Sequence, residues 1–278
     1  MSIAHVVAHG AFGRACLFEL DRAMVPHAHR EGHLIFHVSG PAAQVVVDGR
    51  PLPLSPTMAT AISPWQPHYF QPVDRRHPTL TLVLYIRPGW FVEASREATE
   101  ILRFGRSTVE TGDHLARLVA DTARVLASHR DGDGGLEDRL GALTQAAFDL
   151  TWQWTSPADV IPGDTGRLRD FRLRRAINHL ARTLGEPIDL AEVSRAAGLS
   201  RPHFFKLFRE QMGLPPTIFL NALRMERAIE RLARGGETVS EIGFDLGFAT
   251  PASFSRFFIA NGVVPPSAYR RSVVGLAH

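Results

Sequence analysis

Histidines crowd one stretch of the N-terminal half: His27, His29, His33 and His37, joined downstream by His68. A neutral imidazole offers one N–H and one lone pair, so a convergent set has two chemical uses. His27, His29, His33 and His68 can ligate a divalent metal such as Zn or Fe, for which imidazole nitrogen is a borderline donor. All five can instead hydrogen-bond a polar or anionic effector without any metal. A third reading gives them no ligand, only packing at the mouth of a pair of strands. On a regularly paired strand, the odd-numbered His27, His29, His33 and His37 share one face and line the inside of a barrel.

A different chemistry is spread over the C-terminal part. Ser200, which would also cap the segment, Arg201, His203, Lys206 and Arg209 fall on the outward, DNA-facing side of one amphipathic segment, and Thr250, Ser253, Ser255 and Arg256 on that of another. Arg can grip guanine O6 and N7 together, while Lys, Ser and Thr reach phosphates or base edges. Charge supports this division. Residues 1–165 hold 14 Arg against 18 acids, 14 − 18 = −4, whereas residues 166–278 hold 16 Arg and Lys206 against 10 acids, 17 − 10 = +7. Only the second part is dressed for a polyanion.

The elements that must position these residues follow from periodicity. Apolar and polar residues alternate over 34–39, 44–47, 59–63 and 80–86, with Asp48-Gly49 as a hairpin turn between two of the runs. Closely spaced strands with Pro and Gly turns predict a small sandwich or barrel. After Trp90 the period lengthens. Leu115, Leu118, Val119, Thr122, Val125 and Leu126 make one helical stripe, and Leu136, Leu140, Leu143, Ala147, Leu150 and Trp154 another, separated by the Gly-rich run 131–135. These helices either cover the β-domain or form a homodimer interface.

Beyond a Pro/Gly-rich linker the chain reads as helical, starting at 170–184 with Ile177, Leu180, Ala181 and Leu184 on one face. Residues 190–208 then meet the demands of a helix-turn-helix: Val193 and Ala197 inward, Ser194 small at the crossing, Gly198 in the turn, and Leu199, Phe204, Leu207 and Phe208 as core. Ile242, Gly243, Leu246, Gly247 and Phe248 repeat the first five of these types at a constant offset of 49 positions, with Phe254, Phe257 and Phe258 as the second core. Pro215-Pro216 opens a helix to about Ala233, with Phe219, Leu223, Ala228 and Leu232 inward and Gly235-Gly236 as its stop. Arg224 and Arg227 on it read as partners of nearby acids. The rod is about 27 Å long, near the ~34 Å that separates successive major grooves on one face of DNA.

The segments Asp189-Leu190-Ala191-Glu192-Val193 with Gly198-Leu199-Ser200, then Arg224 with Arg227-Ala228, the run 242–258, and Gly262 with Pro265-Pro266-Ser267-Ala268-Tyr269-Arg270 together resemble the AraC/XylS family of bacterial transcription regulators over about residues 167–271. Ala249 departs from the family's usual Ser, and Pro251 lies in the first turn of the second recognition helix. His27-x-His29-x3-His33-x6-Gly40 resembles the first cupin motif with His33 in place of its Glu, and Pro64-Trp65-Gln66-Pro67-His68 resembles the second.

The resemblance implies an α+β protein: a cupin-like effector-sensing and dimerising domain over 1–158, a linker over 159–166, and a double helix-turn-helix domain over 167–278. It implies double-stranded promoter DNA, RNA polymerase, a small-molecule effector and a second copy as partners, in the cytoplasm and without a membrane. The competing class is a metal-dependent, dioxygenase-like cupin enzyme with a DNA-binding tail; the missing Glu weakens it. A third is a constitutive DNA-binding protein whose barrel only dimerises. Composition of 45% hydrophobic and 21% charged residues excludes fibrous and wholly disordered chains. The single Cys16 excludes an internal disulfide.

Overall fold

A computed structural model describes residues 2–90, 104–128, 135–151, 170–186, 188–262 and 264–275. The linker assigned to 159–166, together with Trp154 and residues 131–134, lies outside them.

Strands β1 (Ile3–Gly10), β2 (Gly13–Leu20), β3 (Gly32–Ser39), β4 (Ala43–Val47), β5 (Arg50–Leu54), β6 (Met58–Ile62), β7 (His68–Pro72), β8 (Thr79–Ile86) and β9 (Thr108–Glu110) are followed by nine helices among the described residues and by a terminal strand β10 (Val273–Gly275). They form a seven-stranded sheet, ordered β10-β1-β2-β8-β3-β6-β9, and a three-stranded sheet, β5-β4-β7. Asp48 and Gly49 take φ of 50° and 79°, the pair of positive angles that a tight hairpin between β4 and β5 requires.

The pleat sorts side chains into two cores. Ala15, Leu17, Leu34, Phe36, Leu82 and Leu84 face helices α1 (Asp113–Ala127) and α2 (Leu136–Thr151), which bury Leu115, Val119, Leu126, Leu136, Leu140 and Leu143 against them. The apolar stripes of both helices are therefore taken up by the sheet. Phe148 joins that core, whereas Leu150, assigned to the inner stripe from its spacing, is exposed. The alternate residues Cys16, Phe18, Ile35 and Val83 face the second sheet through Val45, Val47, Leu54 and Phe70. Cys16 is buried there, which pushes its thiol pKa up to about 12. The space between the sheets is thus filled by side chains.

The helical domain comprises α3 (Phe171–Arg182), α4 (Leu190–Ala196), α5 (Arg201–Met212), α6 (Pro216–Arg234), α7 (Val239–Asp245), α8 (Pro251–Gly262) and α9 (Pro266–Ser272). Asp170 caps α3 through the Arg172 amide. The buried row of α3 is Leu173, Ala176 and Leu180, with Ala181 exposed, one step from the face expected. Helix α6 buries Phe219, Leu223, Ala228 and Leu232 as its spacing predicts. The two domains touch extensively. β10 pairs in parallel with β1 through Val7 and Val273, Val25 N–H donates to the Ala260 carbonyl at 3.2 Å, and Trp65 stacks on Phe219 at 5.1 Å.

Candidate functional site

In both helix-turn-helix units a glycine makes the turn. Gly198 and Gly247 adopt φ of 73° and 80°, which a side chain would strain; Leu199 is buried beside the first turn, and its counterpart Phe248 packs on Phe254 and Phe257 at 5.4 and 4.9 Å. Phe204 and Phe208 in α5, and Phe254 and Phe258 in α8, are fully buried. That fixes the opposite faces toward solvent. Arg201, His203, Lys206 and Arg209 are exposed on α5, and Arg256 on α8. Arg209 and Arg256 carry no ion pair among the described residues, while Lys206 lies 3.8 Å from Glu210 and Arg201 sits over the Phe205 ring at 5.6 Å.

Three of the expected contact residues also have local work. Ser200 occupies the N-cap of α5 without a side-chain cap bond. Thr250 Oγ1 accepts from the Ser253 amide at 3.1 Å, and Ser253 Oγ accepts from the Thr250 amide at 3.2 Å, so the pair caps α8 reciprocally. Ser255 is half-buried. On α6, Arg227 pairs with Glu230 at 3.2 Å as expected, but Arg224 lies over the Phe248 ring at 5.4 Å and meets no acid among the described residues. Arg231, which the sequence did not single out, braces α7 by donating to Asp245 at 2.7 Å and to Glu237.

The structure brings four of the five histidines together. His27 and His68 exchange backbone hydrogen bonds of 3.0 and 2.8 Å, which aligns their rings at 4.4 Å. His29 lies 4.9 Å from both His33 and His68, centroid to centroid. His33 stacks on Tyr85 at 4.4 Å, and Arg14 covers that tyrosine at 3.8 Å while donating to Glu31 at 3.2 Å. Burial pushes the His29, His33 and His68 pKa values well below the ordinary imidazole range, and mutual repulsion adds to it. His27 is lowered by burial too, against a bond to the Val25 carbonyl. His37 is not brought to them. It lies four residues along β3 from His33, roughly 13 Å at ~3.3 Å per residue, where its Nε2 meets the Gly40 carbonyl at 3.0 Å.

Trp65 joins the cluster to the helices. Its backbone takes φ of 65°, sparsely populated for an aromatic residue, with its N–H on the His29 carbonyl at 2.8 Å and its ring on Phe219. Beside the cluster a cleft of about 650 Å³, its open mouth included, runs between the domains. Arg14, His27, His29, Glu31 and Tyr85 wall one side; Asn221, Met225, Glu226 and Ile229 of α6, Asn261 of α8 and Tyr269 of α9 wall the other. His33 and His68 lie buried on the strand faces of Ile35 and Phe70, between the sheets, while His27 and His29 wall the cleft at the domain boundary. Arg14, Glu31, Tyr85 and the α6 residues escaped the sequence reading. Arg14 did leave a signal, as a charge inside the apolar run of β2.

A β-domain that shares a cleft of mixed polar and apolar lining with a doubled helix-turn-helix, whose outward faces expose Arg201, Lys206, Arg209 and Arg256, defines a ligand-binding transcription regulator. Comparison with known proteins identifies the kind. Residues 19–144 match the AraC-like ligand binding domain and residues 193–272 match a helix-turn-helix domain. The chain belongs to the AraC-type transcription regulators. It is 23% identical to the probable transcriptional regulator LumQ of Photobacterium leiognathi over 90% of this chain and 94% of that one. Uncharacterized HTH-type transcriptional regulators of Staphylococcus aureus are 32% identical over 37% of this chain, a match spanning 14% of their own length. Among solved structures, ToxT of Vibrio cholerae bound to an unsaturated fatty acid has a TM-score of 0.55 at 15% identity, covering 95% of this chain and 96% of that one, which establishes a common fold. The relatives named here give the enzyme reading no support. No helix among the described residues is long and apolar enough to cross a membrane.

Proposed function

We propose that α5 and α8 read successive major-groove segments of a promoter, and that a small effector in the interdomain cleft sets how firmly they do so. The observation that carries this reading is the double wall of the cleft: a ligand there touches Arg14, His29 and Tyr85 on one domain and Asn221, Met225 and Asn261 on the other. Any such ligand binds one relative placement of the domains better than another, and that difference is the only way a ligand shifts an equilibrium. A coupling of about 1 to 3 kcal/mol gives a useful response. The effector is a small molecule with an apolar body and a polar end, matching Phe18, Met225, Ile229 and Phe258 beside Arg14, the histidines and Asn261. The ToxT structure bound to a fatty acid, on the same fold, supports that class.

RNA polymerase is the partner downstream of promoter binding, and the cytoplasm is where both reside. Arg201, His203, Lys206, Arg209 and Arg256 carry the DNA contacts, with Thr250, Ser253 and Ser255 reaching backbone phosphates from the start of α8.

Selection of genomic fragments by the full chain, followed by binding to the enriched site at several salt concentrations, tests this. A motif with segments one helical turn apart is the expected result, and two such motifs side by side call for a homodimer. Salt-sensitive binding with no motif would overturn sequence-specific reading.

A further inference from the structure

The histidine cluster carries more than an effector contact. Nδ1 of His27 lies 3.0 Å from the Val25 carbonyl, Nδ1 of His29 2.9 Å from the Glu31 carbonyl, and Nδ1 of His68 2.8 Å from the Gln66 carbonyl. A carbonyl only accepts, so each Nδ1 holds a proton and donates it. The tautomers are thereby fixed: with burial keeping the rings neutral, all three present a lone pair at Nε2. One ring nitrogen of each lies within 4.8 Å of one from each of the others.

Three lone pairs aimed at one region, that of His68 buried and those of His27 and His29 half-buried, repel unless something positive lies among them. His33 does not resolve this alone. Its Nδ1 is 3.2 Å from His29 Nε2 and 3.1 Å from His68 Nε2, and one proton there serves one of the two at a time. Its Nε2 is buried without a hydrogen-bond partner. Among the described residues no carboxylate pairs with the cluster's inner nitrogens. Glu31 stands behind His29, its carboxylate 3.6 Å from the ring's outer nitrogen.

We propose that His27, His29 and His68 bind a divalent transition metal, Zn(II) or a similar borderline ion, through their Nε2 atoms, with His33 beside them as a hydrogen-bonding neighbour. Three observations carry it. The outer nitrogens donate to backbone carbonyls, the arrangement that orients metal-bound imidazoles and raises their basicity. One ring nitrogen of each lies within 4.8 Å of one from each of the others, so small ring rotations bring them toward the ~3.3 Å edge of a tetrahedron built on bonds of ~2.0 to 2.1 Å. The donor set is all nitrogen and neutral, which suits Zn(II) over Mg(II) or Ca(II). Three protein ligands leave a fourth position for water or for a ligand in the cleft. His27 and His29 also wall the interdomain cleft, so the metal would order the β-domain side of the boundary that Trp65 bridges to α6.

This inference does not depend on the effector reading, and its test needs no DNA. The full chain, stripped with a chelator, is titrated with Co(II) alone and then with Zn(II). The expected result is uptake of a single equivalent of Co(II), with the visible absorption of a tetrahedral nitrogen site, displaced by Zn(II). His27→Ala, at the half-buried rim of the cluster, should weaken uptake at least about 100-fold, as should His68→Gln, while His37→Ala leaves it unchanged. Circular dichroism confirms that the variants are folded. Absence of stoichiometric uptake by the wild-type chain overturns the proposal, and so does uptake equal in wild type and His27→Ala. Specific DNA binding measured on the same preparations then separates a failed metal site from a failed regulator.

Discussion

The two helix-turn-helix units share one pattern and differ in what holds them. The first packs Phe204, Phe208 and Leu199 against α3 and α6, and its apolar core takes in just Ala28 and Trp65 of the β-domain among the described residues. The second shares a continuous core with the β-domain, in which Ile242, Leu246, Phe254, Phe258 and Tyr269 join Cys16, Phe18 and Val83. Its chain then runs through α9 into β10 and hydrogen-bonds to β1. One unit leans on the sensor domain; the other is part of the same body. A ligand that rearranges the boundary therefore acts on the first unit at lower cost, because less apolar surface must part.

The largest effect that sharpens this contrast is Phe254→Ala. Removing a fully buried ring should cost about 3 to 5 kcal/mol. Phe204→Ala should cost a similar amount, since that ring is buried equally. The two should part in hydrogen exchange: the Phe254 variant should speed exchange in β2 and β8, and the Phe204 variant should leave those strands protected. Equal behaviour in β2 and β8 would break the distinction between the units.

Next comes the crossing point. A Cβ on Gly243 would lie 2.9 Å from Phe254 Cβ and 3.0 Å from its Cγ, whereas Ser194 at the matching place fits, with its hydroxyl donating to the Ala191 carbonyl at 2.9 Å. Gly243→Ala should cost about 1 to 3 kcal/mol through overpacking. Ser194→Ala should cost about 1 kcal/mol or less, the net worth of one hydrogen bond. Denaturant titration of both variants checks this, and a harmless Gly243→Ala would show that α8 can shift freely against α7.

The DNA face supplies the third comparison. Arg201→Ala and Arg256→Ala should each lose about 1 to 3 kcal/mol on the selected site and less on random DNA if they grip bases. Repeated with effector present, the loss for Arg201 should change more than that for Arg256, because the first unit is the less anchored one. Competition binding on matched and scrambled sites reads both quantities.

Much of this was legible because its signals are local. Asp48-Gly49 fixes a turn through backbone angles alone, and the 3 and 4 spacings of Phe204, Leu207 and Phe208 and of Phe254, Phe257 and Phe258 mark helix faces without knowledge of any partner. β2 was not legible. It is buried on both faces, so Gly13–Leu20 shows no alternation. β10 is three residues long and exists only because β1 is there to receive it. Odd numbering put His33 and His37 on one face of β3, but spacing says nothing of distance along a strand, and His37 lies elsewhere. The cleft, half of it built from α6 and α8, belongs to tertiary structure alone. The capping role of Thr250 and Ser253 was readable in principle, being an N-cap residue with a polar partner three positions on.

The smallest effect concerns the seam between β1 and α9. His9 Nε2 lies 3.1 Å from the Tyr269 hydroxyl, and burial, with Arg14 and Arg87 adding repulsion against the weaker pull of Glu31, lowers its pKa to about 4. The unfolded chain protonates this imidazole near pH 6.5, so below that pH the unfolded state binds more protons than the folded one. Stability that is fully present above pH 6.5 is lost as pH falls toward 4. At pH 5.5 the loss from His9 alone should be about 1 kcal/mol. His9→Gln, which keeps a hydrogen-bonding group beside Tyr269, should be less stable than wild type at pH 7.5 yet lose less between pH 7.5 and 5.5. The difference between the two chains isolates His9 from the other buried histidines. Parallel losses in both would show that this seam does not titrate, leaving the shared apolar core as what binds the second unit to the sensor domain.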